Sequence, residues 1–281
     1  MKNKGIIPVN KPKDWTSFDV VNKLKYKLKP LKVGHLGTLD PMATGVLLVT
    51  VGKATKLFDL MQKKEKTYIA KFEFGYLTDT LDATGLIMQK TNNIPTIDEI
   101  RNVLTKFVGK ISQIPPKYSA KSINGQRAYD LARQNIDFEL KPKIVEIFDI
   151  RLLTYENNVL SLEITCGSGT YIRSIGRDLA YELNSLATMI DLVRTKVGNF
   201  ELQNCIKIED CDPIQDSIIP IKEILNYQTL KLSEEEQNKL LNGQTINVNL
   251  KNGMYALEDD CDIVALAEIK ENHAKMSIFL G

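Results

Sequence analysis

Residues 34 to 45, GHLGTLDPMATG, confine one carboxylate more tightly than any other stretch of this chain. Gly34 and Gly37 permit positive φ or close approach to a ligand, while Pro41 fixes its own φ and pushes Asp40 out of the helical region. A carboxylate held this way points in one direction. It lies five positions after His35, one of only two histidines. An isolated Asp-Pro pair is an ordinary turn with Asp in a favoured place. The full string, running into the buried-strand pattern GVLLVTVG, is more specific than that.

Periodicity elsewhere gives mixed α and β structure. TYIAKFEFGY alternates apolar and polar residues as a half-buried strand does. PTIDEIRNVLTKFVG reads as a helix with Thr96 and Glu99 as a capping box and Ile100, Val103, Leu104 and Phe107 on one face. Residues 144 to 155 and 158 to 166 are two strands joined at Glu156, Asn157 and Asn158, an antiparallel hairpin. A helix follows the glycines of CGSGTYIRSIGRDLAYEL. Strands outnumber crossover helices and no dinucleotide or P-loop fingerprint occurs, so the expectation is α+β with a large mixed or antiparallel sheet.

Three divisions follow. Residues 1 to 226 form a main domain, residues 112 to 142 interrupt it as a polar, turn-rich insertion, and residues 227 to 281 form a small β-rich unit with one helix, SEEEQNKLLNGQ. With 281 residues, 43% of them hydrophobic, the chain is long enough for a main core and a smaller second one. No run of eighteen apolar residues occurs, and MKNKGIIPVNKPK lacks a signal-peptide pattern, so a cytoplasmic protein without membrane contact is expected. Cys166, Cys205, Cys211 and Cys261 form no C-x-x-C pair, which predicts buried or inert thiols and no metal.

A near-neutral total hides a strong gradient. Residues 1 to 75 hold 15 Lys and 6 acids, whereas residues 201 to 281 hold 7 Lys and 15 acids. A basic front suits a polyanion, because each neutralised phosphate releases counterions. On SFDVVNKLKYKLKPLK, Phe18, Val21, Leu24 and Leu28 recur at helical spacing, which leaves Lys23, Lys25, Lys27 and Lys29 largely off the buried stripe and available to a polyanion.

The string GHLGTLDPMATGVLLV resembles the signature of the TruB-type tRNA pseudouridine synthases. Family-like segments follow in order: VNKPKDWTS at 9 to 17, KTYIAKFEFGYLTDTLDATG at 66 to 85, QIPPKYSAKSINGQRAYDLAR at 113 to 133, CGSGTYIRSIGRDLA at 166 to 180 and LVRTKVGNF at 192 to 200. The resemblance covers most of the first 200 residues. It implies Asp40 as the catalytic residue in a central cleft, the 112 to 142 insertion as a thumb closing on RNA, and the last 55 residues as a loosely PUA-like module, from which their acidity departs.

Further residues take roles from the same resemblance. Tyr68 lies against the target base, and Arg173 pairs with Asp40 to hold it ionised. Tyr171 and Leu192 line the pocket, and His35 contacts RNA where the uridine leaves its stack. Lys11 is read as either a phosphate contact or a brace for the Asp40 turn. The implied activity is isomerisation of uridine 55 in the T arm of tRNA, by a monomer that needs no cofactor, metal or guide RNA. Two rivals stand beside it: a guide-dependent relative of the same superfamily, and a tRNA-binding folding chaperone. The thumb-like insertion and the PMATG ending favour the stand-alone enzyme over the first.

Overall fold

The computed structural model describes residues 3–119, 121–123, 125–134, 136–210 and 213–281. Its main sheet runs in the order Gly5–Lys11, Thr44–Val51, Ala187–Val197, Lys66–Phe74, Val159–Cys166, Lys143–Glu156, Gly109–Gln113. Only the contact of Thr44–Val51 with Ala187–Val197 is parallel; the other pairings along this path are antiparallel. The short strand Val33–Leu36, which carries His35, adds to Thr44–Val51. The expected mixed sheet is therefore present. Asn157 and Asn158 both take positive φ, 50° and 64°, the conformation a two-residue hairpin loop requires, and so fix the register Glu156 to Val159.

Both faces of Thr44–Val51 are covered, which is why its sequence is apolar throughout. Leu47, Val49 and Val51 enter the main core with Tyr68, Ala70, Phe72, Ile164 and Leu192. Val46 and Leu48 point the other way, against Ile221, Leu225, Ala256, Ile263, Leu266 and Leu280. The five-stranded C-terminal sheet, centred on Gly253–Glu258 and Ile263–Lys270, thus packs on the back of the main sheet. Its helix Glu234–Leu241 is capped by Ser233 and Glu236.

The helix Ile97–Leu104 carries the expected Thr96/Glu99 capping box and buries Ile100 and Leu104; Phe107 is buried from the 3-10 turn that follows. The helix Ser17–Lys27 corrects one expectation. Its buried residues are Ser17, Val20, Val21 and Leu24, while Phe18 is 64% exposed. The stripe is set one residue further round because Ser17 itself turns inward to Leu39. Cys166 is buried, Cys205 partly buried and Cys261 exposed, all three as free thiols; Cys211 lies outside the described residues. No helix among the described residues is long and apolar enough to cross a membrane.

Candidate active site

The Asp40 turn is built from three segments. Gly37 takes φ +82°, while Gly34 lies in a strand without positive φ, so only one of the two glycines serves conformational freedom. The amide of Ala43 donates to the carbonyl of Asp40 at 3.0 Å, closing a β-turn across Pro41 and Met42. Ser17 exchanges hydrogen bonds with both backbone groups of Leu39. Lys11 is fully buried, and its ammonium donates to the carbonyls of Pro12 at 2.9 Å, Trp15 at 2.5 Å and Pro41 at 3.0 Å. All three N–H donors are used, so this is the geometry of a brace, with none left to offer a phosphate. Burial pulls the Lys11 ammonium down to about 8.

Arg173 comes from the first turn of the helix Ile172–Glu182. Gly176, one turn later, lets that helix lie directly on Phe72: a Cβ there would stand 2.3 Å from the ring. The helix N-terminus is held by Gln113, whose Oε1 accepts from the amide of Tyr171 at 2.9 Å and whose Nε2 donates to the Tyr171 carbonyl at 3.2 Å. From this fixed position Arg173 Nε lies 2.9 Å from Asp40 Oδ2, and Nη2 donates to Asp40 Oδ1 at 3.0 Å. The pair is bidentate, the geometry for which a guanidinium is suited.

Arg173 also spans two other parts of the cleft. Its Nη1 donates to the Thr80 carbonyl at 3.0 Å and lies 3.5 Å from Asp82 Oδ2, while Nη2 donates to the Tyr118 carbonyl at 3.0 Å. The Arg173 side chain is 6% exposed, whereas the Asp40 side chain keeps 32%, so of the pair Asp40 is the more open. Burial lifts the Asp40 carboxyl above the ordinary aspartate range, Arg173 pulls it back, and Asp82 adds to the lift. Arg173 pairs with Asp40 as expected, but the net direction is upward. Desolvation of the carboxylate outweighs a cation already shared with a second acid.

The tie to Tyr118 bears on the 112 to 142 insertion. Its first part is fastened to the same helix, because Ser174 Oγ and Arg177 Nη2 both donate to the Ile114 carbonyl, at 2.9 and 2.8 Å. The segment then holds two short strands, Ser122–Ile123 and Gln126–Arg127, and the helix Ala128–Arg133. It does not pack only on itself.

Tyr68 and Arg194 are register partners on adjacent strands, as are Ala70 and Leu192. Tyr68 and Leu192 are both buried and share the main core with Leu39 and Met42. Burial pushes the Tyr68 hydroxyl up, against the pull of Arg194. His35 is half-buried, and its Nδ1 has no hydrogen-bond partner. Burial and the Arg194 charge hold the ring below the usual imidazole value and therefore neutral. Among the described residues, no group of three or more His, Cys, Asp or Glu is placed to hold a metal ion.

A family model described as TruB family pseudouridylate synthase (N terminal domain) matches residues 23–172. The chain belongs to the TruB family. It is 40% identical to tRNA pseudouridine synthase B of Mycoplasma mobile over 99% of this chain and 95% of the relative. It is 41% identical to tRNA pseudouridine synthase B of Clostridium kluyveri over 86% and 85% respectively. Among solved structures, an H/ACA RNP bound to a substrate RNA containing 2'-deoxyuridine matches with a TM-score of 0.72 at 21% identity, covering 99% of this chain and 85% of that one. A Cbf5-Nop10-Gar1 complex matches with the same TM-score at 22% identity, over 99% and 84%. These likenesses are of fold.

Two residues of this TruB-family site escape a linear reading. Asp82 is buried, and its Oδ1 accepts from Thr80 Oγ1, Thr84 N and Thr84 Oγ1 at 2.8, 3.0 and 2.6 Å. The string TLDATG at 80 to 85 echoes TLDPMATG at 38 to 45, a signal that points to it. Arg194 is 1% exposed and donates through Nε to the Val46 carbonyl at 2.7 Å and through Nη2 to the Gly37 carbonyl at 3.2 Å. It clamps both ends of the Asp40 turn. Gly45 makes the close crossing possible, since a Cβ there would stand 2.2 Å from the Arg194 carbonyl.

Proposed function

We propose that the chain is a stand-alone tRNA pseudouridine synthase that isomerises uridine 55 in the T arm, with Asp40 as catalytic carboxylate. The observation that carries this reading is a partly open aspartate held through both oxygens by a buried arginine, in a chain of the TruB family. That relatives about 40% identical are tRNA pseudouridine synthase B supports tRNA as substrate.

The reaction breaks the N1–C1′ bond of uridine, turns the loose uracil and joins C5 to C1′. N1 gains a proton and C5 loses one, so atoms and electrons balance within the nucleotide. Asp40 supplies the nucleophile, since carboxylates form covalent intermediates with such centres; attack on the sugar and attack on the ring both use a carboxylate oxygen. Tyr68 lies against the base and, with its hydroxyl raised by burial, meets it protonated at neutral pH. Leu192 and Tyr171 line the pocket, and the neutral ring of His35 fills the space the uridine vacates.

Lys11 braces the Asp40 turn from behind. Residues 1 to 226 are the catalytic domain, with 112 to 142 as a thumb that closes on RNA, and residues 227 to 281 are a PUA-like module. The enzyme works in the cytoplasm as a monomer without cofactor, metal or guide RNA. The deciding experiment incubates the purified protein alone with an unmodified tRNA transcript and maps pseudouridine. Conversion at position 55 is expected; no pseudouridine, or pseudouridine only when another RNA or protein is added, overturns the reading.

A further inference from the structure

The helix Ser17–Lys27 turns two aromatic rings to solvent: Phe18 is 64% exposed and Tyr26 76%. At about 100° per residue, Phe18, Asn22, Lys25 and Tyr26 fall within a sector of roughly 100°, opposite the buried Val20, Val21 and Leu24. Lys29, just beyond the helix, places its ammonium 5.2 Å from the Tyr26 ring centroid. Lys23, Lys25 and Lys29 are exposed around the same helix. Its one acid, Asp19, is committed to the capping box with Thr16.

We propose that this aromatic and basic face is a second RNA-contact surface that stacks unpaired bases of the substrate RNA. The inference rests on the reading of the chain as an RNA-modifying enzyme and names the class of RNA element this face takes. Charge complementarity selects a polyanion. The two solvent-facing rings select one with free base faces, because bases inside a duplex are already stacked and cannot be reached. The helix that carries the face is anchored beneath it, since the buried Ser17 hydrogen-bonds both backbone groups of Leu39, the neighbour of Asp40.

The test compares three proteins, the wild type, Phe18→Ala/Tyr26→Ala and Lys25→Gln/Lys29→Gln, with two RNAs across a salt series. One RNA is a cytidine 12-mer, which offers no uridine to the Asp40 cleft, and the other is a 12-base-pair RNA duplex. The aromatic double variant is expected to bind the 12-mer about tenfold more weakly, with an unchanged salt slope and duplex affinity within about twofold of wild type. The lysine double variant is expected to weaken both RNAs and to flatten the salt slope on the 12-mer by up to about 1.4.

No detectable binding of the 12-mer by wild type overturns the proposal. So does wild-type affinity in the aromatic variant, or an equal loss on the 12-mer and the duplex. Sedimentation gives one further outcome: a concentration-dependent dimer abolished by the aromatic substitutions assigns the face to a second copy of the chain and overturns the RNA assignment. Because both rings are exposed, thermal unfolding of the aromatic variant should match wild type, and a lowered midpoint would give the rings a structural role instead. Mapping of pseudouridine in tRNA by the wild type keeps the two readings apart, since its failure removes the enzymatic reading and the binding comparison addresses this face alone.

Discussion

The guanidinium of Arg173 grips both carboxylate oxygens of Asp40, at 2.9 and 3.0 Å, across 133 residues of sequence. The same group reaches Asp82, the Thr80 carbonyl and the Tyr118 carbonyl, so one buried cation joins the Asp40 turn, its TLD counterpart and the start of the insertion.

Asp40→Asn should keep the fold and the RNA affinity close to wild type while removing turnover, because the amide matches the carboxylate in shape but cannot act as a carboxylate nucleophile. Single-turnover assays on unmodified tRNA check this. Residual activity above a few per cent of wild type would remove Asp40 from the catalytic role, and an unfolded variant would make its role structural.

The pH profile carries a sign. With Asp40 as the proposed nucleophile, turnover needs the ionised carboxylate, and burial raises the Asp40 carboxyl, so activity should fall on acidification at a pH above that of an ordinary aspartate. Asp82→Asn removes a charge that adds to this lift and should move the acid limb to lower pH. Arg173→Gln removes the charge that opposes it and should move the limb to higher pH, besides slowing turnover. Limbs that do not separate in these directions would contradict the coupling of the three groups.

Lys11→Met should cost stability of about 3 kcal/mol, since it leaves the carbonyls of Pro12, Trp15 and Pro41 without a buried donor. Chemical denaturation measures the loss. Turnover should fall with it, because the Pro41 carbonyl belongs to the Asp40 turn. The salt slope of RNA binding should stay at the wild-type value; a slope reduced by about one unit would make Lys11 a phosphate contact after all.

Limited proteolysis should cut the insertion beyond Tyr118, where the polar, turn-rich stretch to Pro142 continues past the ties to Arg173, Ser174 and Arg177. Saturating tRNA should protect it if it closes on RNA. Equal cleavage with and without tRNA would reduce it to a surface loop.

Much of this architecture follows from local chemistry. Apolar spacing marks the strands at Thr44–Val51 and Lys66–Phe74, Thr96 and Glu99 mark a helix start, and Asn157 with Asn158 supplies the positive φ that closes a hairpin. The Asp40 turn is legible for the same reason, because glycine and proline act on the residues beside them. Tertiary packing decided the rest. Phe18 has the spacing of a core residue, yet the inward turn of Ser17 toward Leu39 rotates it into solvent. Lys11 has the composition of a phosphate contact, yet it is sealed behind three carbonyls that a linear reading cannot bring together. Asp82 and Arg194 become part of the site only when the strand register and the close seat of Gly176 on Phe72 are set. Turn and helix signals act over a few residues, whereas desolvation and ion pairing depend on which surfaces meet. Glycine and proline beside Asp40 therefore place the carboxylate, while what holds it and the direction in which its pKa moves come from the assembled sheet and helix.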